Sequence, residues 1–91
     1  MDRRAEQLHK AIGQRLQELR RANTSLSQEG LAARAGFHRT FVGKAERGET
    51  AVTVDTLAAL CAALNVSIAE FFQPFDEIIS IRGPRRRRPR A

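Results

Sequence analysis

Arg39, Thr40, Lys44 and Arg47 are spaced so that a helix carrying them presents two guanidinium groups, an ammonium and a hydroxyl on or near one side, with Gly43 between them. All of these groups donate hydrogen bonds, and three are cations. Val42 and Ala45 fall on the opposite side at helical spacing and form a small apolar seam. A short helix that is polar and partly cationic outside and apolar inside fits the major groove of DNA. A solvated helix face satisfies the same spacing. Other chemistries lack their residues. His9 and His38 have no Cys or His partner at metal-ligand spacing. No Ser–His–Asp set, glycine-rich phosphate loop or pair of carboxylates is apparent. We therefore expect no enzyme, no metal and no cofactor.

The helix that carries these residues is expected over about Arg39 to Arg47, with Gly48 stopping it and His38 as a mediocre N-cap. Phe37 and Val42 could staple its start. Before it, Gln28 to Ala35 reads as a second short helix, capped by Ser27, stapled by Leu26 and Leu31, and ended by Gly36. Gly30 lies in its first turn, at a cost of about 1 kcal/mol relative to Ala. Leu8, Ile12, Leu16 and Leu19 recur at spacings of four, four and three, which predicts a first helix over about Ala5 to Arg21. Leu57, Leu60, Cys61 and Leu64 predict a fourth, capped near Thr53 and running from Val54 to Leu64, with Asn65 after it. Ser67 caps a short fifth helix, Ile68 to Phe72, which Pro74 prevents from continuing. The segment FDEIISI is compatible with a short strand or one more helical turn.

Composition narrows the class. Ninety-one residues, 42% hydrophobic, make one small domain. No apolar run approaches the roughly 20 residues of a membrane span, and the charged start MDRRAEQLHK is not a secretory signal. The single cysteine, Cys61, reads as a small core residue and fits a reducing, cytoplasmic setting. The net charge of +6 is misleading as evidence about the domain. Residues 1–81 hold ten Arg/Lys and ten Asp/Glu, so the whole excess comes from six arginines in residues 82–91.

The order SQ-x-x-LA opening the second helix (Ser27-Gln28, Leu31-Ala32), Gly36, and Glu46-Arg47-Gly48 closing the third, followed by Leu57, Leu60, Ala63-Leu64 and Phe71-Phe72, resembles the Cro/C1-type (XRE) helix-turn-helix family over about residues 8–72. The run HRTF-V-G before ERG is similar to the recognition helix of restriction–modification controller proteins. The resemblance implies an all-α, compact five-helix, lambda-repressor-like DNA-binding domain, which we place in residues 1–81. The Gly, Pro and Arg of residues 82–91 cannot pack a core, so we expect a disordered Arg-rich tail there. It also implies roles. Arg39, Thr40, Gly43 and Lys44 would meet base edges. Gln28, Phe41, Arg47, Thr50 and Thr53 would meet the DNA backbone, although Phe41 stands where many relatives carry Tyr and so lacks the hydroxyl. Glu46 would pair with an arginine of the first helix. Arg20 is the choice, with Arg21 as alternative because the loop that follows is one residue longer than usual.

Two further expectations concern the C-terminus. Arg85, Arg86, Arg87 and Arg88 could follow the DNA backbone or minor groove, bind polyanions in general, or only solubilise the chain. Phe71, Phe72, Phe75, Ile78, Ile79 and Ile81 exceed what a tapering end needs. Some complete the core. The rest, taken from Phe71, Phe72, Phe75, Ile78 and Ile79, predict a homodimer that sets two recognition helices about 34 Å apart on a near-palindromic operator. The function expected is a bacterial or phage transcriptional regulator, with no small-molecule ligand and no membrane partner. Its rivals are an antitoxin-type DNA-binding protein with a cognate toxin, and an RNA- or ribosome-associated adaptor.

Overall fold

The computed structural model describes residues 3–75. Five helices follow one another: α1 (Arg3–Asn23), α2 (Gln28–Ala35), α3 (Arg39–Glu46), α4 (Val54–Ala63) and α5 (Ile68–Phe72). No strand occurs among the described residues. Expectations for residues 76–91, including Ile78, Ile79 and the tail arginines Arg85, Arg86, Arg87 and Arg88, lie outside them.

Local chemistry accounts for most boundaries. Ser27, Thr53 and Ser67 each accept a backbone N–H with the side-chain oxygen, from Gly30, Thr56 and Glu70, and so start α2, α4 and α5. Gly36 closes α2 with φ of 85°, and Gly48 turns the chain after α3 with φ of 72°. Asn65 takes the same left-handed role after α4, at φ of 64°.

Four boundaries differ from the sequence reading. α1 begins at Arg3 and ends at Asn23, longer at both ends than the apolar spacing indicates. Its last turn is held because the Arg20 carbonyl accepts both the Thr24 N–H (3.2 Å) and the Thr24 hydroxyl (2.7 Å). α3 and α4 each end one residue early, with Arg47 and Leu64 as their C-caps.

The core gathers one face of every helix. Phe71, Leu16, Leu31, Leu60, Leu64, Val42 and Cys61 are its largest fully buried side chains. Each buried Leu or Phe contributes about 1.5–3 kcal/mol relative to exposure. α3 packs on both α1 and α2, and α4 lies against α2 and α5. The aromatic end of this core removes Phe71 and Phe75 from the candidate dimer surface. Phe71 is fully buried and Phe75 is 6% exposed, with ring centroids 5.8 Å apart, so both close the domain's own interior. Phe72 remains at the surface, and Ile68, one turn earlier, joins it there.

Arg15 fixes this end to α1. Its Nε donates to the Phe71 carbonyl and its Nη2 to the Glu70 carbonyl, both at 2.9 Å. These are C-terminal carbonyls of α5, where a cation is favoured.

Candidate nucleic-acid interface

The placement of α3 begins with a glycine that its own sequence does not contain. Gly13, buried in α1, faces the end of α3 so closely that an added Cβ would lie 2.5 Å from the carbonyl oxygens of both Ala45 and Glu46. α1 can therefore approach α3 backbone to backbone. Gly48 repeats this contact, its missing Cβ lying 2.8 Å from the Lys10 Cα.

Polar contacts then lock the helix. Glu46, with a side chain only 1% exposed, takes the Arg20 Nε at 2.7 Å and Nη2 at 3.0 Å. The same carboxylate accepts the Gln28 amide at 2.9 Å, while Arg20 Nη1 reaches the Leu26 carbonyl at 3.1 Å. One carboxylate thus ties α1, α2 and α3 together. Its hydrogen bond, and its charge more weakly, raise the Arg20 guanidinium above its usual range despite burial. Arg20 makes this bond, not Arg21. No buried side-chain nitrogen or oxygen among the described residues lacks a partner.

With Val42, Ala45 and Glu46 held inward, Arg39, Thr40 and Lys44 are exposed on the opposite side of α3. His38 performs better than a mediocre cap: its Nδ1 accepts the Thr40 N–H at 3.1 Å, which requires that nitrogen's lone pair. Arg39 Nη1 lies 3.4 Å from Glu29 Oε2. Arg47 makes a two-pronged pair with Glu49, Nε to Oε2 at 3.0 Å and Nη2 to Oε1 at 3.2 Å. The hydrogen bond from Arg47 lowers the Glu49 carboxyl below its ordinary range, and the Lys44 charge adds to the effect.

Several residues expected on this surface sit differently. Gly43 is buried, because the Arg47 guanidinium and the Gln28 amide oxygen cover the place a Cβ would take. Phe41 is half-buried against the core, its ring 5.3 Å from that of Phe37. It has no donor to offer a phosphate. Gln28 is half-buried with one amide N–H already given to Glu46, and its second remains available. Thr53 is the α4 cap and also bonds the Thr56 hydroxyl at 2.9 Å, while the Thr50 hydroxyl donates to the Ala51 carbonyl at 3.4 Å.

Sequence reasoning missed Gly13, Glu29 and Glu49. A glycine in a helix signals a close approach only when the neighbour is known. Glu49, two residues from Arg47, does carry a signal, because neighbouring opposite charges attract, whereas Glu29, ten residues from Arg39 on another helix, carries none until α2 and α3 are placed together. Among the described residues no cluster of His, Cys, Asp and Glu could hold a metal, and none of their helices is long and apolar enough to cross a membrane. Burial pushes the Cys61 thiol up, as expected for a packed cysteine.

Known proteins share this fold. Residues 16–71 match the helix-turn-helix family HTH_3. The control protein C.SmaI of Serratia marcescens is 52% identical over 44 residues, 48% of this chain and 52% of that protein, so the chain spans about half its length. An uncharacterized HTH-type transcriptional regulator of Sinorhizobium fredii, y4dJ, is 40% identical over 70 residues, 77% of this chain and 90% of that protein. Among solved structures, the restriction–modification controller protein C.AhdI of Aeromonas hydrophila superposes with a TM-score of 0.67 at 42% identity, covering 70% of this chain and 96% of the other. The clp gene regulator ClgR of C. glutamicum superposes with a TM-score of 0.72 at 25% identity, covering 79% of this chain and 91% of its own. The five-helix scaffold thus agrees with sequence kinship: the chain belongs to the HTH_3 family of Cro/C1-type helix-turn-helix DNA-binding transcriptional regulators, alongside the restriction–modification control proteins.

Proposed function

We propose that the chain binds a near-palindromic operator as a homodimer, with α3 of each protomer in the major groove. The observation that supports this most directly is the division of α3: Val42, Ala45 and Glu46 are buried, while Arg39, Thr40 and Lys44 are exposed together. In this reading Arg39 contacts a guanine edge through paired N–H donors, and Thr40 and Lys44 meet neighbouring bases. The free amide N–H of Gln28 and the N-terminal N–H groups of α2 take a phosphate. Arg47, Thr50 and Thr53 flank the same strand, and Phe41 supports α3 from below. Gly43 contributes only by leaving room for Gln28 and Arg47. Residues 1–81 act as the DNA-binding and dimerisation unit, and Arg85, Arg86, Arg87 and Arg88 in residues 82–91 add sequence-independent affinity.

Ile68 and Phe72, exposed at 40% and 36%, are the described part of the proposed dimer surface. An antitoxin role would place a different protein on that patch. The protein would act in the cytoplasm by occupying promoter DNA, without catalysis and without a small-molecule effector. Selection of binding sites from a random duplex library tests the central claim. Arg39→Ala is expected to relax preference at one or two positions per half-site, with discrimination falling by about 1–3 kcal/mol. Unchanged selected sequences would refute base reading by Arg39.

A further inference from the structure

Arg39 does not stand alone at the head of α3. Its Nη1 meets the Glu29 carboxylate of α2 at 3.4 Å, and both side chains are about two-thirds exposed, at 67% and 71%. Ten residues separate the two in sequence, and the pair bridges a shallow hollow lined by Ala32, Ala33, Phe37 and His38. The fold gains little from such a pair, because exposed ion pairs are weakly stabilising. Its effect falls on the guanidinium. An arginine side chain is long and rotatable, while bidentate contact with guanine demands two parallel N–H donors in one place. A carboxylate holding Nη1 from the α2 side restricts that freedom and leaves the remaining donors to point away. The same negative charge repels phosphate oxygens, the competing target of any free arginine.

We propose that Glu29 is a specificity-determining positioning residue, which holds Arg39 for base reading and disfavours its contact with the phosphate backbone. This rests on the reading of Arg39 as a base-contacting residue. Glu29 touches no base in this scheme; it acts through Arg39.

The test uses the full chain in four forms: unaltered, Glu29→Gln, Arg39→Ala and the double variant. Each is put through sequencing-based selection from a random-core duplex library, and each is titrated with calf thymus DNA by fluorescence anisotropy at one fixed salt concentration. Glu29→Gln is expected to weaken preference at the positions that Arg39→Ala weakens. It should also tighten calf thymus DNA binding by about two- to fivefold, the scale of one exposed ion pair. In the Arg39→Ala background, Glu29→Gln should leave the selected sequences as they are. A purely structural role would move the melting temperature of Glu29→Gln and leave the base preference alone, which would overturn the proposal. So would a Glu29→Gln effect on preference that persists without Arg39. If Arg39→Ala itself selects the original sequences, the base-reading assignment fails, and the role of Glu29 fails with it. If Arg39→Ala alters preference and Glu29→Gln does not, only the role of Glu29 is overturned.

Discussion

Replacing Gly13 by alanine should destabilise this protein, although alanine is the better helix former. In an exposed helix interior the exchange is worth about 1 kcal/mol in favour of alanine. At Gly13 the new methyl carbon would sit 2.5 Å from the Ala45 and Glu46 carbonyl oxygens and 2.8 Å from the Glu46 carbonyl carbon. All three are backbone atoms at the end of α3, so no side-chain rotation relieves the overlap. Ordinary contact at about 3.4 Å requires α1 and α3 to separate by nearly an ångström, which strains Glu46 and its bonds to Arg20 and Gln28. Overpacking of a rigid site costs about 3 kcal/mol at the upper end, so the net loss is about 2 kcal/mol. For a domain of this size that lowers the melting temperature by about 8–16 °C. Gly30→Ala is the matched control. Its Cβ would meet the flexible end of Leu26, Cδ2 at 3.1 Å, and otherwise make ordinary contacts at 3.5 Å with Leu26 Cβ and Ser27 Oγ, so helix propensity should prevail and stability should stay level or rise. Urea denaturation of both variants, followed by circular dichroism, checks the pair. Equal midpoints for Gly13→Ala and Gly30→Ala would refute the close-approach argument.

Glu46→Ala should cost about 3–5 kcal/mol, because it leaves the buried Arg20 guanidinium with the Leu26 carbonyl alone. The double change Arg20→Met with Glu46→Leu should recover most of that loss, and thermal melts of both variants measure the difference. Phe71→Ala should destabilise by about 3–5 kcal/mol. Phe72→Ser should lower the melt of dilute protein, because its ring packs edge-on against Phe71 and Phe75 at 5.1 and 4.9 Å. It should also shift sedimentation of the folded protein toward monomer; an unshifted profile would count against the proposed dimer patch. Deleting residues 83–91 should weaken binding to every duplex and flatten the dependence of affinity on salt. Titration at several salt concentrations reads this out, and an unchanged slope would argue against an arginine arm.

What the sequence made legible was mainly local. Ser27, Thr53 and Ser67 cap within three residues of their partners, and Gly36 and Gly48 break helices by their own backbone freedom. Leu57, Leu60, Cys61 and Leu64 mark a buried stripe by spacing, and all four are buried. The Arg20–Glu46 pair was reachable through family resemblance, since no periodicity joins residues 26 positions apart. The rest depends on which elements meet. Gly13 matters because of the α3 carbonyls opposite it, and Gln28 is partly committed because Glu46 lies beneath it. Phe71 and Phe75 resemble surplus apolar residues until the shared core that buries them is in place. Among the candidate base-reading residues, the outward direction of Arg39, Thr40 and Lys44 followed from helical geometry, whereas the burial of Gly43 depended on two neighbouring side chains.

The separation of α3 into an anchored inside and an exposed outside bears on how such a protein can change over evolutionary time. Positions 39, 40 and 44 carry little of the packing, while Val42, Ala45 and Glu46 carry much of it. If these positions read bases as proposed, drift there would re-address the domain to a different promoter without passing through an unfolded ancestor. New targets become accessible by exchanging a few letters on a fixed keel. Duplicated copies within one genome could diverge in this way until neither answers to the other's operator.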